Sequence, residues 1–231
     1  MRIFVGFKEN DSDLAFNIKN LYGKRIYPIF WPKKRNLKVK DLNLFPNDVG
    51  QKSDYYLHYS GYQKISPELL NLFINRAFNL HPAPPWYRGS GGLNLAIYRM
   101  EKKFGITLHH MSEKYDDGKI IKFYDFELIT NENIINASKR INIFREDVFR
   151  EILSTICKTQ DNRDPFPFSI NQIKWEGELF KISDIDDLSN INLIENDIPF
   201  NELNNRIKAF ATNDFPVSLK TRYGSYKIFS S

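Results

Sequence analysis

Cysteine is nearly missing. Cys157 stands alone among 231 residues, which excludes an internal disulfide and fits a reducing compartment. Histidine is scarce too: His58, His81, His109 and His110 show no zinc-ligand spacing, and one cysteine cannot complete a cluster, so no metal is expected. No apolar run approaches the roughly 20 residues that span a bilayer, and the chain enters a strand at Arg2 without a leader. The expectation is a cytoplasmic protein with no membrane partner. A Gly-x-Gly-x-x-Gly fingerprint is absent, which argues against a classical dinucleotide site. The net charge of +5 is too modest to signal nucleic acid, though it would help steer a small polyanion such as a nucleotide. There is no internal repeat and no low-complexity tract.

What is present suits a soluble globular protein, with 42% hydrophobic, 26% charged and a high 15% aromatic content. The length allows one substantial core and a small appendage. Ile3 to Gly6 reads as a buried strand. Leu14, Ile18 and Leu21 then fall at helical spacing between a cap at Asp11 or Ser12 and a stop at Gly23. A second strand over Arg25–Phe30 completes a βαβ opening. The basic segment Lys33, Lys34, Arg35, Lys38, Lys40 reads as a solvated loop, with contact to substrate phosphates as the alternative. Tyr55–Tyr59 is a third strand, and Ser66-Pro67 starts a helix with Leu69, Leu70 and Phe73 on its apolar side.

Beyond Gly89, Ser90 caps a helix with stripe Leu93, Ile97, Met100 and Phe104, ended by Gly105. Lys119–Ile129 alternates as a strand, and Val148 or Phe149, Ile152, Leu153 and Ile156 mark another amphipathic helix. Asp161–Phe168 reads as a linker, and Tyr223-Gly224-Ser225-Tyr226 as a terminal hairpin. The predicted class is α/β: a Rossmann-like core with a mainly parallel sheet over residues 1–160, and a small β-rich extension over 161–231.

The chemistry concentrates in two stretches. In the first, Asn79 and His81 are two apart in a short apolar run, so they project to one side of a strand, and the Pro-rich loop that follows holds Trp86, Tyr87 and Arg88. Those three either brace the loop or meet a phosphate or base. In the second, Gly105-Ile106-Thr107-Leu108-His109-His110-Met111 reads as a buried strand leading to the turn Asp116-Asp117-Gly118. If the two strands are neighbours, a carboxylate lands near His81 and can fix its tautomer for proton transfer. The site is expected at the carboxyl ends of both strands. Of the adjacent His109 and His110, one faces in and reads as a core or supporting residue.

The ordered set Asn-x-His, Tyr-Arg-Gly, Gly-x-Thr-x-His and Asp-x-Gly, between Tyr59 and Ile121, resembles the formyltransferases that use 10-formyltetrahydrofolate. The resemblance implies a catalytic trio of Asn79, His81 and Asp116. Asp116 is preferred to Asp117 as the first residue of Asp-x-Gly. It implies 10-formyltetrahydrofolate as co-substrate, held near Tyr62, Gln63, Lys64, Ile65 and Tyr115, and an acceptor held by Trp86, Tyr87 and Arg88. Gln63 stands where that family's loop commonly has glycine. Lys8-Glu9-Asn10-Asp11 is not the phosphate loop of glycinamide-ribonucleotide enzymes, and the acidic run from Asp184 to Asp197 does not suit tRNA. Arg206-Ile207-Lys208-Ala209 is similar to a segment near the end of sugar formyltransferases. The branch reached by elimination is a sugar N-formyltransferase acting on a nucleotide-linked amino sugar, such as a dTDP-4-amino-4,6-dideoxyhexose for surface polysaccharide (O-antigen), with a homodimer implied. The alternatives are another formyl-folate enzyme or a non-catalytic folate- or nucleotide-binding protein.

Overall fold

A computed structural model describes residues 1–32, 44–50, 53–61, 65–159, 163–167, 173–212 and 216–229. The basic segment from Lys33 to Lys40 and the candidates Tyr62, Gln63 and Lys64 lie outside the described residues. The apolar runs form a six-stranded sheet in the order β2-β1-β3-β4-β6-β7. Its strands are β1 (Arg2–Lys8), β2 (Ile26–Trp31), β3 (Asp54–His58), β4 (Ala77–His81), β6 (Lys103–His110) and β7 (Ile120–Glu127). β1, β2, β3 and β4 run parallel, and β6 runs antiparallel to β4. This is the expected α/β class with a mainly parallel sheet. Ile3 to Phe7 are all buried, as befits a parallel strand covered on both faces.

Helix α1 (Ser12–Tyr22) links β1 to β2 and stops at Gly23, whose φ of +65° costs a residue without a side chain little. Its buried side is Ala15 and Ile18, whereas Leu21 is exposed, so the stripe is narrower than the spacing suggested. Helix α2 (Pro67–Leu72) starts as expected, with Ser66 accepting from the Leu69 amide at 3.3 Å. Helix α3 (Gly92–Tyr98) departs from expectation at both ends, since Gly91 caps it and it stops before Met100. Met100 takes a left-handed φ of +57°, and the Glu101 amide turns back to the Ala96 carbonyl, which closes the helix without a glycine. Phe104 and Gly105 therefore belong to β6, and their helical spacing is coincidental. The helix read around Ile152 is the end of α4 (Ile134–Lys158), which begins much earlier, where Asn133 Oδ1 accepts from the Asn136 amide at 2.9 Å.

The chain divides into two compact units. The first comprises Met1–Pro82, Thr107–Phe123 and Phe149–Trp175; the second comprises Ala83–Ile106, Tyr124–Val148 and Glu176–Ser231. In the first, alternation along the strands splits the side chains between two faces. One face carries an apolar cluster of Phe4, Ile29, Trp31, Phe45, Tyr56, Ile65, Leu69, Phe73 and Ala77. Phe7, by contrast, meets Tyr59 and Phe149, which themselves approach to 4.5 Å between ring centroids. At the edge of the cluster, Arg2 grips Asp54 through Nε and Nη2 at 3.0 and 2.7 Å, with Asp54 only 1% exposed.

In the second unit, α3 packs on α6 (Phe200–Phe210), and Asn94 donates to the Ala209 carbonyl at 2.8 Å. A short pair, β5 (Arg88–Gly89) with β8 (Leu179–Phe180), needs glycine at 89, because a Cβ there would press on the Phe180 carbonyl. The C-terminal β-rich part is a three-stranded sheet, β11-β10-β9. It joins β9 (Asn190–Asn192) to the antiparallel hairpin β10 (Val217–Thr221) and β11 (Gly224–Ile228), as the terminal motif predicted. Helix α5 (Ile182–Ser189) takes in the first part of the acidic run.

Because Asp54 is buried, Arg2→Met removes the charged partner of a carboxylate that keeps the weaker donation from the Gly50 amide. We expect a loss of about 3 kcal/mol of stability from urea unfolding; a loss below about 0.5 kcal/mol would mean that the pair behaves like a solvent-exposed bridge.

Candidate active site

Two rows of the first unit share one face of the sheet. Phe4, Tyr56 and Ala77 pair across β1, β3 and β4 and belong to the apolar cluster. One pleat further along, Gly6 pairs with His58, His58 with Asn79, and Asn79 with His109. The apolar row anchors the face and the polar row forms the site. His81 follows two residues after Asn79 and pairs with Thr107. Asn79, His81, Thr107 and His109 thus face the same way; the period of two predicted this for Asn79 and His81. One detail differs from the sequence reading. Because β6 is antiparallel, only β4 offers its carboxyl end; that of β6 lies beside Phe78.

The turn carrying Asp116 closes over this row. Asp116 Oδ1 sits 3.2 Å from His81 Nδ1 and 3.8 Å from His109 Nε2, and Asp116, His81 and His109 are all buried. Two local features bring the carboxylate there. Asp116 adopts a left-handed φ of +44°, which Asp tolerates better than most residues. Gly118 lies so close to the His110 carbonyl that any Cβ would collide with it. The Asp-x-Gly spacing therefore has a steric cause. Trp175 walls the other side: its Nε1 donates to the Gly118 carbonyl at 2.6 Å, and its ring stands edge-on to His109 and His81, with centroids 4.9 and 5.8 Å away.

Hydrogen-bond chemistry assigns the protons. His109 Nδ1 lies 2.7 Å from the His110 carbonyl, an acceptor, so that nitrogen carries hydrogen. Burial pushes the His109 imidazole down to about 4, with the opposing pull of Asp116 second, and it is neutral at pH 7. Its Nε2 must then accept, and the partner at 2.9 Å is the Asn79 amide nitrogen. Asn79 is held with its NH2 on the site side. A carboxylate accepts only, so in the pair with Asp116 His81 donates from Nδ1. The arrangement offers a neutral amide donor beside an imidazole braced by a carboxylate.

The remaining candidates divide. Ile65 is 3% exposed and its side chain is committed to the apolar cluster, while Tyr115 is 46% exposed. Trp86, Tyr87 and Arg88 belong to the second unit. There Tyr87 is fully buried, its hydroxyl donates to Glu101 and accepts from Arg99, and its ring meets Phe104 and Phe180. That is the bracing role, and it leaves Tyr87 no exposed face. Trp86 and Arg88 are half-buried. Among the described residues no His, Cys, Asp and Glu group has metal-site geometry. The place of His109 beside Asn79 was visible only as an inward histidine, and that of Trp175 carried no signal, since it lies 57 residues beyond its partner Gly118.

Residues 51–153 match the formyl transferase family model. Among curated relatives, the bifunctional polymyxin resistance protein ArnA of Wigglesworthia glossinidia brevipalpis is 28% identical over 168 residues, covering 70% of this chain and 25% of the relative. Methionyl-tRNA formyltransferases also match, and the chain spans a quarter to about half the length of the first of these curated relatives. Similar solved structures include a sugar N-formyltransferase from Shewanella sp. FDAARGOS_354, with TM-score 0.68 and 18% identity over 100% of this chain and 97% of that one. Another is the N-formyltransferase of Helicobacter canadensis in complex with folinic acid and dTDP-3-aminofucose, with TM-score 0.67 and 18% identity over 96% and 84%. At these identities the structures establish a shared fold.

The depressed His109 value fixes a pH dependence. Between about 4 and 6.5 the unfolded chain binds a proton that the folded chain does not, so stability rises with pH through that window and is flat above it. His110, also lowered chiefly by burial, adds in the same direction. We expect the wild type to be less stable at pH 5 than at pH 7.5, and His109→Gln to flatten that slope; an unchanged slope would show that His109 is not buried neutral.

Proposed function

From a segment, residues 51–153, that belongs to the formyl transferase family, we propose that this protein is a sugar N-formyltransferase. In this reading it moves a formyl group from 10-formyltetrahydrofolate to the amine of a nucleotide-linked amino sugar, such as a dTDP-4-amino-4,6-dideoxyhexose for surface polysaccharide. The observation that carries the chemistry is the buried His81–Asp116 pair beside the oriented Asn79 amide. Support for the sugar branch comes from the fold shared with the Shewanella and Helicobacter canadensis enzymes along nearly all of this chain, together with the acidic residues of α5. The proposal includes a cytoplasmic location and a homodimer. No helix among the described residues is long and apolar enough to cross a membrane.

The proposed steps follow from the proton assignments. The substrate amine attacks the formyl carbon, forming the new C–N bond and a tetrahedral oxyanion. Asn79 donates its remaining amide N–H to that oxygen, a neutral donor already oriented by His109. His81 Nε2 takes the proton released by the amine, and Asp116 stabilises the imidazolium through Nδ1. Collapse of the oxyanion breaks the bond to the folate nitrogen, which receives the proton from His81. Atoms and charge balance without a covalent enzyme intermediate. In this scheme residues 1–160 carry the transfer chemistry, and the extension 161–231 supplies the Trp175 wall.

The test is transfer from 10-formyltetrahydrofolate to a panel of dTDP- and UDP-linked amino sugars, glycinamide ribonucleotide and methionyl-tRNA. Turnover with a nucleotide sugar alone is expected, and Asn79→Ala is expected to lower kcat by roughly 10²- to 10³-fold. Transfer only to the tRNA or the ribonucleotide would overturn the sugar branch, and folate hydrolysis alone would favour a deformylase.

A further inference from the structure

The turn that carries Asp116 is the least self-sufficient part of the site. Asp116 sits in the left-handed region at φ +44°, a conformation that costs energy for a residue with a side chain and persists only where its surroundings hold it. Two residues on, position 118 has to be glycine, because a Cβ there would lie 1.7 Å from the His110 carbonyl oxygen. Glycine is also the residue with the widest choice of backbone angles. The close approach that brings the turn over the sheet therefore also leaves it loose. The His110 amide donates to the Lys119 carbonyl at 2.9 Å, which fixes the chain where it enters β7.

Trp175 takes hold of the turn itself. Its Nε1 donates to the Gly118 carbonyl at 2.6 Å, and an indole N–H donates only, so the bond has one direction. Its ring lies against both imidazoles, with centroids 4.9 Å from His109 and 5.8 Å from His81 and interplanar angles of 88° and 69°. Those are the two histidines that the Asp116 carboxylate faces at 3.8 and 3.2 Å. Trp175 thus grips the turn beside the carboxylate and packs on the groups the carboxylate addresses, all within the first compact unit. A side chain that only filled space there would need no polar bond to the turn. The bond fixes the one carbonyl whose rotation would swing Asp116 away from His81.

We propose that Trp175 is a positioning residue for the transfer reaction: through the Gly118 carbonyl it holds the Asp116 carboxylate on His81 Nδ1. The identity of the reaction rests on the sugar N-formyltransferase reading; the hold on Asp116 does not.

The experiment removes the N–H and keeps the ring. Trp175→Phe also loses ring volume, so the deciding variant carries β-(3-benzothienyl)alanine at position 175, with sulfur in place of the indole N–H. In the benzothienyl protein kcat for formyl transfer to the nucleotide amino sugar should fall about tenfold, the effect of one lost hydrogen bond, with the KM values of both substrates within about twofold. In an Asp116→Ala background the same exchange should change kcat by less than about twofold, because the carboxylate it positions is gone. An unchanged kcat, equal losses with and without Asp116, or a raised KM at unchanged kcat would each overturn the positioning role. ¹⁵N-histidine NMR reads the hold without turnover. The His81 Nδ1–H proton, bonded to Asp116, should appear downfield in the wild type and move upfield in the benzothienyl protein; the same signal in both would overturn the hold. Silence with every amino sugar would fail the sugar reading, and the spectrum would still decide whether Trp175 holds Asp116.

Discussion

Everything at the site depends on how β4 and β6 are laid against each other. Their antiparallel register sets Asn79 opposite His109 and His81 opposite Thr107, and it sends the chain leaving β6 back over the same face. A slip of β6 by one residue would turn Thr107 and His109 into the opposite layer, away from Asn79 and His81. The register is secured by the turn at Asp116–Gly118, where the missing Cβ of Gly118 lets the backbone meet the His110 carbonyl. Asp116 can then reach His81, and Trp175 can cap the turn. The same constraint produces the electrostatics. Burial strips water from His109 and keeps it neutral, and the accepting Nε2 of a neutral His109 is what sets the direction of the Asn79 amide.

The face itself shows how a small sheet combines stability with polar chemistry. One row of Phe4, Tyr56 and Ala77 joins the aromatic cluster with Phe45 and Phe73, and the next holds Gly6, His58, Asn79 and His109. Burying polar groups is costly unless each finds a partner. Here Tyr56 satisfies Trp31, the His110 carbonyl satisfies His109, and His109 satisfies Asn79. The apolar row offsets the ordering of the polar one, and the polar row is fixed by donors with only one direction to point.

Much of this was legible in the sequence because it follows from short-range rules. Asn79 and His81 share a side through the period of two, Ser66-Pro67 starts a helix, Gly23 ends one, and Gly224 marks the final hairpin turn. The misreadings have physical causes. Met100 closed α3 by entering the left-handed region, so Phe104 continued the helical spacing from within a strand. The antiparallel course of β6 is a topological fact that no local pattern encodes. Trp175 and the neutral state of His109 arise from contacts distant in sequence and from burial, neither of which periodicity reports.

The central claim is that His81 and Asp116 act as one proton-handling unit. A double-mutant cycle on the rate of formyl transfer, with His81→Ala, Asp116→Ala and the pair, tests it most directly. The account predicts strong non-additivity, the double variant being no slower than His81→Ala alone, as found for groups that work together. Losses that simply multiply would contradict it, because the carboxylate would then be acting without the imidazole.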